Sequence, residues 1–471
     1  MANLNDHFSC WPWEHWAQLR PSATALITEH KHFTWQQLYE LVKGYSAGLI
    51  AQGVARHQVV AAVSANCTEL IWLQLACLRV GARLVVISSS ENELNLRVKL
   101  DTVGASHVWF ANQELVTSGS WPSLKLQLKV PVSIPVTWQP SHIASFVFTS
   151  GSTGAPKAVA HSIDNHLSSA SGLLSWLPFS SQDNWLLSLP LSHVSGLAIV
   201  WRWLLVGAAL TVKPKTDLLT ALQGVTHVSL VPTQLQRVLD VLQANNLEIK
   251  LHQVLLGGAV IPVELTSRAK QAGIECWVGY GMTELASTVT AKPADEHPGV
   301  GYVIPNRELM IKDRQIFLRG KTLCLGYFQK GAITPIVDEQ GWFATRDLGE
   351  VVNGELRVIG RADNMFISGG ENIYPEEIER ALLSHPHILQ ALVFPVPDAE
   401  FGERPVAVVE ASQDLVPQEV NQHLQTLIAK FKCPDDYYTW PASLPVAGIK
   451  VARSSVQKWL NEQRHSLQPQ E

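Results

Sequence analysis

The sequence predicts an α/β protein: a large N-terminal domain of mixed, largely parallel sheets with flanking helices, and a small α+β C-terminal domain. Apolar helices run into a glycine and then a short β-branched strand at residues 70–87 and 198–212. The order is reversed at 226–243 and 251–265, where a strand leads into a helix. Helices that alternate with short apolar strands are typical of parallel sheets. In such sheets, ligands gather at the carboxyl ends of the strands.

A change of pattern near Arg361 predicts the domain boundary. The chain becomes rich in glycine there and turns helical just after Pro375, because proline suits the first turn of a helix. Two apolar strands, a further helix and a basic tail follow. We therefore predict one domain over residues 1–360 and a second over 361–471, which is long enough for a small core of its own, with a hinge near residues 361–363.

Composition narrows the class of protein. The chain has 471 residues, of which 46% are hydrophobic and 16% charged, an ordinary globular balance for more than one domain. A net charge of −5 argues against a nucleic-acid-binding surface, so we predict no nucleic-acid partner. The six cysteines are scattered without a CxxC pair, which argues against a zinc site or a disulfide framework and favours a cytoplasmic location.

One segment, from Val194 to Val212, approaches the length that spans a membrane. Arg202 lies near its centre and Gly207 interrupts it. An arginine at the centre of a bilayer costs about 2.5 kcal/mol or more. We therefore predict a buried helix, a turn at Gly207 and a strand, with no membrane insertion.

The strongest local signal is a loop rich in glycine and serine, TSGSTGAPK, which follows a predicted strand. Its free N–H groups and hydroxyls can surround phosphate oxygens while Lys157 offsets their charge. It is not a Walker A loop, because no Ser or Thr follows the lysine. A flexible surface loop is the alternative. The candidate phosphate-binding residues are Thr149, Ser150, Gly151, Ser152, Thr153, Gly154 and Lys157.

Later segments carry groups suited to the rest of a nucleotide. In GYGMTE, the ring of Tyr280 offers a flat face to adenine and the Thr283 hydroxyl can donate to a phosphate. Glu284 can bind Mg²⁺, which prefers carboxylate and phosphate oxygens together. Asp347 is an acceptor suited to two ribose hydroxyls. Taken alone, each of these residues also fits an ordinary turn, helix cap or surface position.

Together these segments resemble the adenylate-forming superfamily of acyl- and aryl-CoA synthetases, peptide-synthetase adenylation domains and beetle luciferases. The loop, GYGMTE, WFATRD at 342–347, GRAD at 360–363 and SGGEN at 368–372 match the family's motifs in order. The resemblance implies an AMP-forming acid–CoA ligase that uses ATP with Mg²⁺, takes coenzyme A as co-substrate, and closes a small C-terminal lid over a large domain. One departure is Arg346, where the family usually has glycine.

The resemblance also assigns the catalytic residues. Lys450 best matches the lysine that offsets charge on the α-phosphate, although an isoleucine interrupts the family's Gly-Lys pattern. Thr283, Glu284 and His193 complete the predicted catalytic set, with Glu284 as the metal ligand. His193 matches an HxxG segment that gates the acyl pocket, but a packed core histidine is an equal alternative.

Nucleotide, hinge and CoA contacts follow from the same motifs. Asp363 matches the hinge about which the lid rotates between the half-reactions. Gly369 and Gly370 resemble the loop along which the pantetheine of CoA passes. The further nucleotide-binding residues implied are Gly257, Gly258, Ala259, Tyr280, Gly281, Asp347 and Arg361.

The stretches WPWEHW, DNWLLSLPLSHVSG, WRWL and THVSLVPTQLQR most resemble the family members that act on o-succinylbenzoate in menaquinone biosynthesis. That acid has two carboxylates, so one must be gripped by a cation or by donors while the other is activated. Arg237 is the first candidate and Arg202 the second, and Ser188, on the predicted strand before His193, adds a hydroxyl.

Several alternatives stay open at this point. The chain could be another aryl- or fatty-acyl-CoA synthetase, or a free-standing adenylation enzyme that loads a carrier protein. A non-catalytic nucleotide-binding protein is the alternative from a different class. A homo-oligomer is compatible with the resemblance, since related ligases are often dimers or tetramers.

Overall fold

The computed structural model describes residues 8–112, 121–131, 137–149, 156–214, 216–245, 249–297, 299–442 and 453–467, with side chains up to residue 464 in the last stretch. The helices are α1 (Pro12–Leu19), α2 (Trp35–Ile50), α3 (Thr68–Val80), α4 (Glu93–Val103), α5 (Ile163–Leu174), α6 (Val194–Val206), α7 (Leu218–Ala221), α8 (Pro232–Asn245), α9 (Val263–Gln271), α10 (Pro375–Leu383), α11 (Pro417–Gln425) and α12 (Arg453–Leu467).

The strands fall into three runs along the chain. The first run is β1 (Thr24–Thr28), β2 (His32–Thr34), β3 (Val59–Val63), β4 (Arg83–Ile87), β5 (His107–Phe110), β6 (Ile143–Thr149), β7 (Lys157–Ser162), β8 (Asn184–Leu186), β9 (Ala209–Val212), β10 (His227–Leu230) and β11 (Gln253–Leu256). The second is β12 (Glu275–Met282), β13 (Ser287–Pro293), β14 (Tyr302–Val303), β15 (Arg307–Lys312), β16 (Gln315–Gly320), β17 (Gly326–Gln329), β18 (Ala332–Thr334), β19 (Phe343–Val352) and β20 (Glu355–Arg361). The third is β21 (Phe366–Ser368), β22 (Glu371–Ile373), β23 (Ile388–Asp398), β24 (Gly402–Ala411) and β25 (Asp436–Thr439).

Two mixed sheets form the body of the large N-terminal domain. The first has the order β14-β13-β12-β11-β10-β8-β9-β1-β2, and its strands from β12 to β1 run parallel. The second has the order β18-β17-β7-β6-β4-β3-β5 and is parallel from β6 to β5. Antiparallel strands lie at both edges of the first sheet and at one edge of the second. The predicted fold, with parallel strands flanked by helices, is confirmed.

A small antiparallel sheet, β15-β16-β19-β20, ends the large domain, and the last sheet belongs to the C-terminal one. In that last sheet the order is β22-β21-β24-β23, and β25 pairs parallel with β24. Helices α10 and α11 pack on one side through Ile378, Leu382 and Leu424. Helix α12 packs through Val456 and Leu460 in a separate cluster. This is the predicted small α+β unit, while its boundary at residues 360–363 stays a prediction.

Helix α6 shows how local sequence dictates local structure. It is buried almost throughout, and it ends at Gly207, whose φ of +71° suits glycine. A Cβ at this glycine would lie 2.5 Å from the ring of Trp16, so no larger residue fits there. Strand β9 then begins at Ala209. The predicted helix, turn and strand are confirmed, and within the described ranges no helix has the length and apolar character to cross a membrane.

Candidate active site

Two antiparallel strands flank the predicted phosphate loop. Strand β6 ends at Thr149 and β7 begins at Lys157, and these two residues face each other across the ladder. The ammonium of Lys157 lies 5.1 Å from the centre of the Tyr327 ring. The ends of the loop therefore meet beside an aromatic face that the sequence motifs did not include. The predicted loop residues Ser150, Gly151, Ser152, Thr153 and Gly154 lie outside the described residues.

Glu284 lies in a single 3₁₀ turn that follows β12, and it is buried. The Tyr327 hydroxyl donates a hydrogen bond of 3.0 Å to its Oε1. Burial raises the pKa of Glu284 above its ordinary value, which marks a carboxylate whose charge is incompletely compensated. A magnesium ion bound to phosphate oxygens would supply that compensation.

The acidic groups present fit a magnesium ion that arrives with a nucleotide rather than a protein-only metal site. Within the described part of the chain, no three His, Cys, Asp or Glu side chains form a metal-binding group. Magnesium commonly takes one or two protein carboxylates and completes its shell with phosphate and water. Glu284 is therefore a candidate protein ligand for a magnesium ion that binds with ATP.

A second cluster of polar and charged side chains consists of Tyr280, Asp347 and Arg361. The Tyr280 hydroxyl donates to Asp347 Oδ2 at 2.5 Å, and Arg361 Nη1 donates to Asp347 Oδ1 at 3.0 Å. Burial, and then the Asp347 charge, raises the pKa of Tyr280 well above its ordinary value. Burial alone would lower the pKa of Arg361, but Asp347 and Asp363 outweigh it and the net pKa is raised. Tyr280 therefore stays neutral and Arg361 stays charged at neutral pH.

Arg346 adopts φ +63°, the left-handed conformation that glycine takes most readily. The family's usual glycine at this position therefore has a backbone reason. Arg346 Nη1 lies 3.5 Å from Asp363 Oδ1, while Arg361 Nη2 lies 3.2 Å from Asp363 Oδ2. The predicted hinge carboxylate is thus held between two arginines, one from β19 and one from β20.

The glycines of two motifs lie side by side. Gly257, Gly258 and Ala259 directly follow β11, which pairs in parallel with β12. A Cβ at Gly257 would lie 3.7 Å from the carbonyl oxygen of Gly279, just before Tyr280. A Cβ at Gly281 would lie 2.3 Å from the carbonyl oxygen of Ser287, so the backbone there is crowded on one side. The two segments therefore form one surface at the end of the parallel strands.

The residues predicted to line or gate the acyl pocket differ in secondary structure and exposure. Ser188 lies beyond β8, so its predicted place on a strand is wrong: its N–H donates to the Leu186 carbonyl in a tight turn, and its hydroxyl donates to Ser229 O at 2.5 Å. His193 is exposed at the N-terminus of α6. The Arg237 side chain is 53% exposed and lies 4.0 Å from Glu410 of the C-terminal sheet.

Arg202 has a different environment. It is buried in α6, its guanidinium lies 5.2 Å from the Trp185 ring centre, and its Nη2 donates to Thr288 Oγ1 at 3.4 Å. Thr288 pairs with Gly281 across β12 and β13. Burial lowers the pKa of Arg202 to about 9, so the group is still charged at neutral pH. This cation therefore lies directly behind the GYGMTE segment.

A second buried arginine was not predicted from the sequence. Arg307 donates to Pro305 O at 2.7 Å and to Ser169 Oγ at 2.9 Å. Burial, and then the nearby charge of Arg202, lowers its pKa to about 9. None of the ion pairs among the described residues involves either arginine, so this end of the site carries a positive charge without a protein counter-ion.

In all, three residues of this region were missed by sequence reasoning: Tyr327, His161 and Arg307. The only sequence signal for His161 is a polar residue within the apolar run of β7. Tyr327 follows a glycine in an otherwise ordinary strand. Their importance comes from contacts with residues far away in the chain, which no local pattern contains.

The remaining predicted residues lie at or beyond the predicted domain boundary. Gly369 and Gly370 form the turn between β21 and β22, with φ of +57° and +85°. Asp363 lies in a short 3₁₀ helix just after β20. Lys450 lies outside the described residues.

Two family models match the chain. The model of the AMP-binding enzyme matches residues 13–328, and the model of the AMP-binding enzyme C-terminal domain matches residues 377–447. The chain therefore belongs to the AMP-binding enzyme family, whose nucleotide chemistry agrees with the groups described above.

Similar proteins narrow the subfamily. The 2-succinylbenzoate–CoA ligase of Salmonella typhimurium is 44% identical over 455 residues, which is 97% of this chain and 99% of that protein. The Escherichia coli enzyme of the same name is 42% identical over 97% of this chain and 100% of its own length.

Solved structures agree with this similarity. A variant of E. coli MenE with bound OSB-AMS has a TM-score of 0.90 and 41% identity, covering 97% of this chain and 99% of that one. The o-succinylbenzoate CoA synthetase of Bacillus subtilis in complex with the acyl-adenylate intermediate OSB-AMP has a TM-score of 0.85 and 26% identity, covering 95% and 98%. The same enzyme with ATP and a magnesium ion also has a TM-score of 0.85, at 25% identity over 95% and 99%.

Proposed function

We propose that this chain is an ATP-dependent ligase that converts o-succinylbenzoate and coenzyme A into o-succinylbenzoyl-CoA. The aliphatic carboxylate attacks the α-phosphorus of ATP, and pyrophosphate leaves. The sulfur of CoA then attacks the acyl carbon of the adenylate, and AMP leaves with the carboxylate oxygen. The observation that carries the choice of acid is the buried Arg202, a cation without a protein carboxylate beside the nucleotide-binding segment.

The nucleotide end would hold Mg·ATP through groups already in place. Asp347 would accept from the ribose hydroxyls, and Arg361 would keep that carboxylate oriented. Glu284 would bind Mg²⁺, and the ion would offset the charge of the phosphate oxygens. The Thr283 hydroxyl and Lys157 would contact the phosphates. Adenine would lie against Tyr280 and the glycine surface formed by residues 257–259.

At the acid end we propose Arg202 rather than Arg237 as the group that holds the second carboxylate. A planar guanidinium binds a carboxylate strongly when both are shielded from water. Arg202 is 2% exposed, whereas the Arg237 side chain is 53% exposed and already lies near Glu410. Ser188 and His193 are proposed to line the acid pocket as well.

We further propose that residues 361–471 act as a lid that rotates about Asp363 between the half-reactions. Lys450 would face the α-phosphate in one orientation, and the turn at Gly369 and Gly370 would line the path of CoA in the other. Release of Asp363 from Arg346 and Arg361 would accompany the rotation. An Asp363→Pro variant is expected to form the adenylate but to transfer it slowly to CoA, and unchanged transfer would contradict the hinge.

The free cysteines fit a reducing compartment, and we propose the cytoplasm as the location. All six cysteines are free thiols, and burial raises the pKa of the Cys276 thiol to about 12. Thiols of this kind are structural and slow to oxidise.

The function is tested by incubating the purified protein with Mg·ATP, CoA and one acid at a time. The panel is o-succinylbenzoate, 4-oxo-4-phenylbutanoate (the same acid without its ring carboxylate), benzoate and a medium-chain fatty acid. We expect o-succinylbenzoyl-CoA and AMP by mass spectrometry, with the other acids slower by orders of magnitude. A faster reaction with another acid would overturn the substrate, and absence of AMP with every acid would overturn the ligase.

A further inference from the structure

Two buried histidines lie beneath the Thr283–Glu284 turn and have no role in the chemistry proposed above. His161 is on β7 and is 0% exposed, and His166 is on α5 and is 1% exposed. Their ring centres are 5.0 Å apart, and His166 stacks on Trp201 at 5.2 Å. Polar side chains this deeply buried are normally retained for the hydrogen bonds that they make.

A hydrogen bond of His161 reaches directly into the candidate site. Its Nε2 lies 2.7 Å from the carbonyl oxygen of Thr283. A carbonyl oxygen can only accept, so Nε2 carries the proton and the ring is in the Nε2–H tautomer. The other ring nitrogen, Nδ1, is buried and has no hydrogen-bond partner among the described residues. The whole polar function of this side chain is therefore directed at the turn.

The turn itself depends on bonds from neighbouring elements. It is a single 3₁₀ turn over Thr283–Leu285, followed by Ala286 at φ +52° and Ser287 at φ +106°. So short a turn has little internal hydrogen bonding to fix its orientation. Besides His161, it is held by a bond of 2.8 Å from Cys324 N–H to the Glu284 carbonyl and by one of 2.6 Å from Ser169 Oγ to the Ala286 carbonyl.

The bond from His161 differs from the other two because it connects the turn to the strand that begins at Lys157. His161 is on the same strand as Lys157, the last residue of the phosphate loop, and that strand pairs with the strand that ends at Thr149. The bond therefore ties the strand of the phosphate-loop lysine to the turn that presents Thr283 and Glu284. A shift of the turn would change the distance between Lys157 and Glu284, the groups that must contact one Mg·ATP together.

We propose that His161 is a positioning residue for the adenylation half-reaction: its Nε2–H···O=C bond to Thr283 fixes the Thr283–Glu284 turn against the strand that carries Lys157. The proposal rests on the function proposed above. Formation of the adenylate needs Mg·ATP in this geometry, whereas transfer of a preformed adenylate to CoA needs neither Mg²⁺ nor pyrophosphate. The two half-reactions should therefore respond differently to loss of the bond.

The experiment compares three variants, His161→Leu, His161→Gln and His166→Leu. The Mg²⁺ dependence of ATP–pyrophosphate exchange with o-succinylbenzoate reports adenylation. The rate of CoA thioester formation from supplied o-succinylbenzoyl-adenylate reports transfer. His166→Leu is the matched control, because His166 is equally buried in the same stack but bonds to Ser145 Oγ at 2.8 Å instead of to the turn.

We expect His161→Leu to need about 10–100-fold more Mg²⁺ for half-maximal exchange, as is usual when a group that orients a metal ligand is lost. Transfer from the supplied adenylate should be unchanged. His161→Gln should recover most of the Mg²⁺ response, because the amide nitrogen of Gln can take the place of Nε2. His166→Leu should retain the wild-type Mg²⁺ response.

An unchanged Mg²⁺ response in folded His161→Leu would overturn the proposal. The proposal would also be overturned if exchange and transfer fell together in both Leu variants, in proportion to the fall in melting temperature. Such a result would indicate general damage to packing. If His161→Leu does not fold, His161→Gln and His161→Asn are compared instead. The amide nitrogen of Gln can take the place of Nε2, whereas that of Asn can take the place of Nδ1 only. An equal Mg²⁺ response of the Gln and Asn variants would refute the positioning role.

Failure of the proposed function would be visible separately. If the wild-type protein forms no adenylate with any acid, binding of Mg·ATP to the same variants is measured by calorimetry. Weaker binding by His161→Leu than by His166→Leu would still support the positioning role, and equal binding would overturn it.

Discussion

The two ends of the candidate site differ in whether a buried charge has an oppositely charged protein partner. At the nucleotide end, the buried Asp347 carboxylate is already matched by Tyr280 at 2.5 Å and Arg361 at 3.0 Å. At the acid end, Arg202 is equally buried, but it donates to the neutral hydroxyl of Thr288, and a second cation, Arg307, adds to the positive charge. The Asp347 charge is matched by a protein cation before any ligand binds, and the Arg202 charge has no such counter-ion among the described residues.

The difference follows from what each end would bind. A ribose is neutral and needs only oriented acceptors, so a carboxylate stabilised by its own arginine is suitable. A second substrate carboxylate is an anion, and its binding is strongest where a buried cation has no protein partner to displace. An unpaired buried charge costs stability in the free protein, and the bound carboxylate would offset this cost.

The largest expected effect comes from removing the unpaired charge. Arg202→Leu should lower kcat/KM for o-succinylbenzoate by at least about 30-fold, because loss of one partner of a buried charge pair costs about 2–5 kcal/mol. The melting temperature should not fall, since an uncompensated buried charge is replaced by an apolar side chain. Steady-state kinetics and thermal unfolding measure both effects.

The control for this variant is Arg237→Leu, which removes an exposed arginine near Glu410 and should change kcat/KM by no more than a few-fold. The acid without its ring carboxylate should react equally with wild-type and Arg202→Leu enzyme. A larger loss in Arg237→Leu than in Arg202→Leu would reverse our assignment of the acid end.

A smaller effect is expected at the nucleotide end. Asp347→Asn removes the charged acceptor, so the KM for ATP should rise by about 10–100-fold, in line with about 1.5–3 kcal/mol for a hydrogen bond to a charged group. The KM for the acid should stay the same, which initial rates at varied ATP and acid would show. Glu308→Gln, which removes an ion-paired carboxylate of the same sheet, is the control. An equal rise in both KM values would mean that the two ends are not independent.

The smallest effect is expected on the pH dependence of stability, through the two buried histidines that stay neutral in the folded protein. Burial lowers the pKa of His161 to about 4 and that of His166 well below its ordinary value, whereas both titrate near pH 6.5 in an unfolded chain. Between these values the unfolded chain binds more protons, so stability falls as the pH falls from about 6.5, by up to about 1.4 kcal/mol per pH unit for each histidine. Melting temperatures at pH 7, 6 and 5 should fall less steeply for His166→Leu than for the wild type, and equal slopes would contradict this account.

Much of the fold could be predicted because its signals are local. The apolar run of α6, the glycine at position 207 and the β-branched run of β9 are adjacent in the chain, and each forms its element for a reason contained in the run itself. Ser188 is the exception: a polar residue after a strand looks like its continuation, but a hydrogen bond back to Leu186 turns the chain away.

The nucleotide-binding segments were also predictable, since each keeps its chemical groups within a few residues. GYGMTE carries its ring, hydroxyl and carboxylate together, and the phosphate loop carries its donors and Lys157 together. The order of these segments was sufficient to identify the family, which the matching models confirm. The roles of the individual residues stay predictions.

The sequence by itself therefore determined the alternation of helices and strands, the motifs and the family, because these depend on neighbours in the chain. Only the tertiary structure decided which groups meet: Tyr327 contacts Glu284 across 43 residues, Arg202 contacts Thr288 across 86 and His161 contacts Thr283 across 122. It also decided which of two helical arginines is buried. Burial and long-range contact depend on how sheets and helices pack together, and the chemical identity of a residue does not specify either.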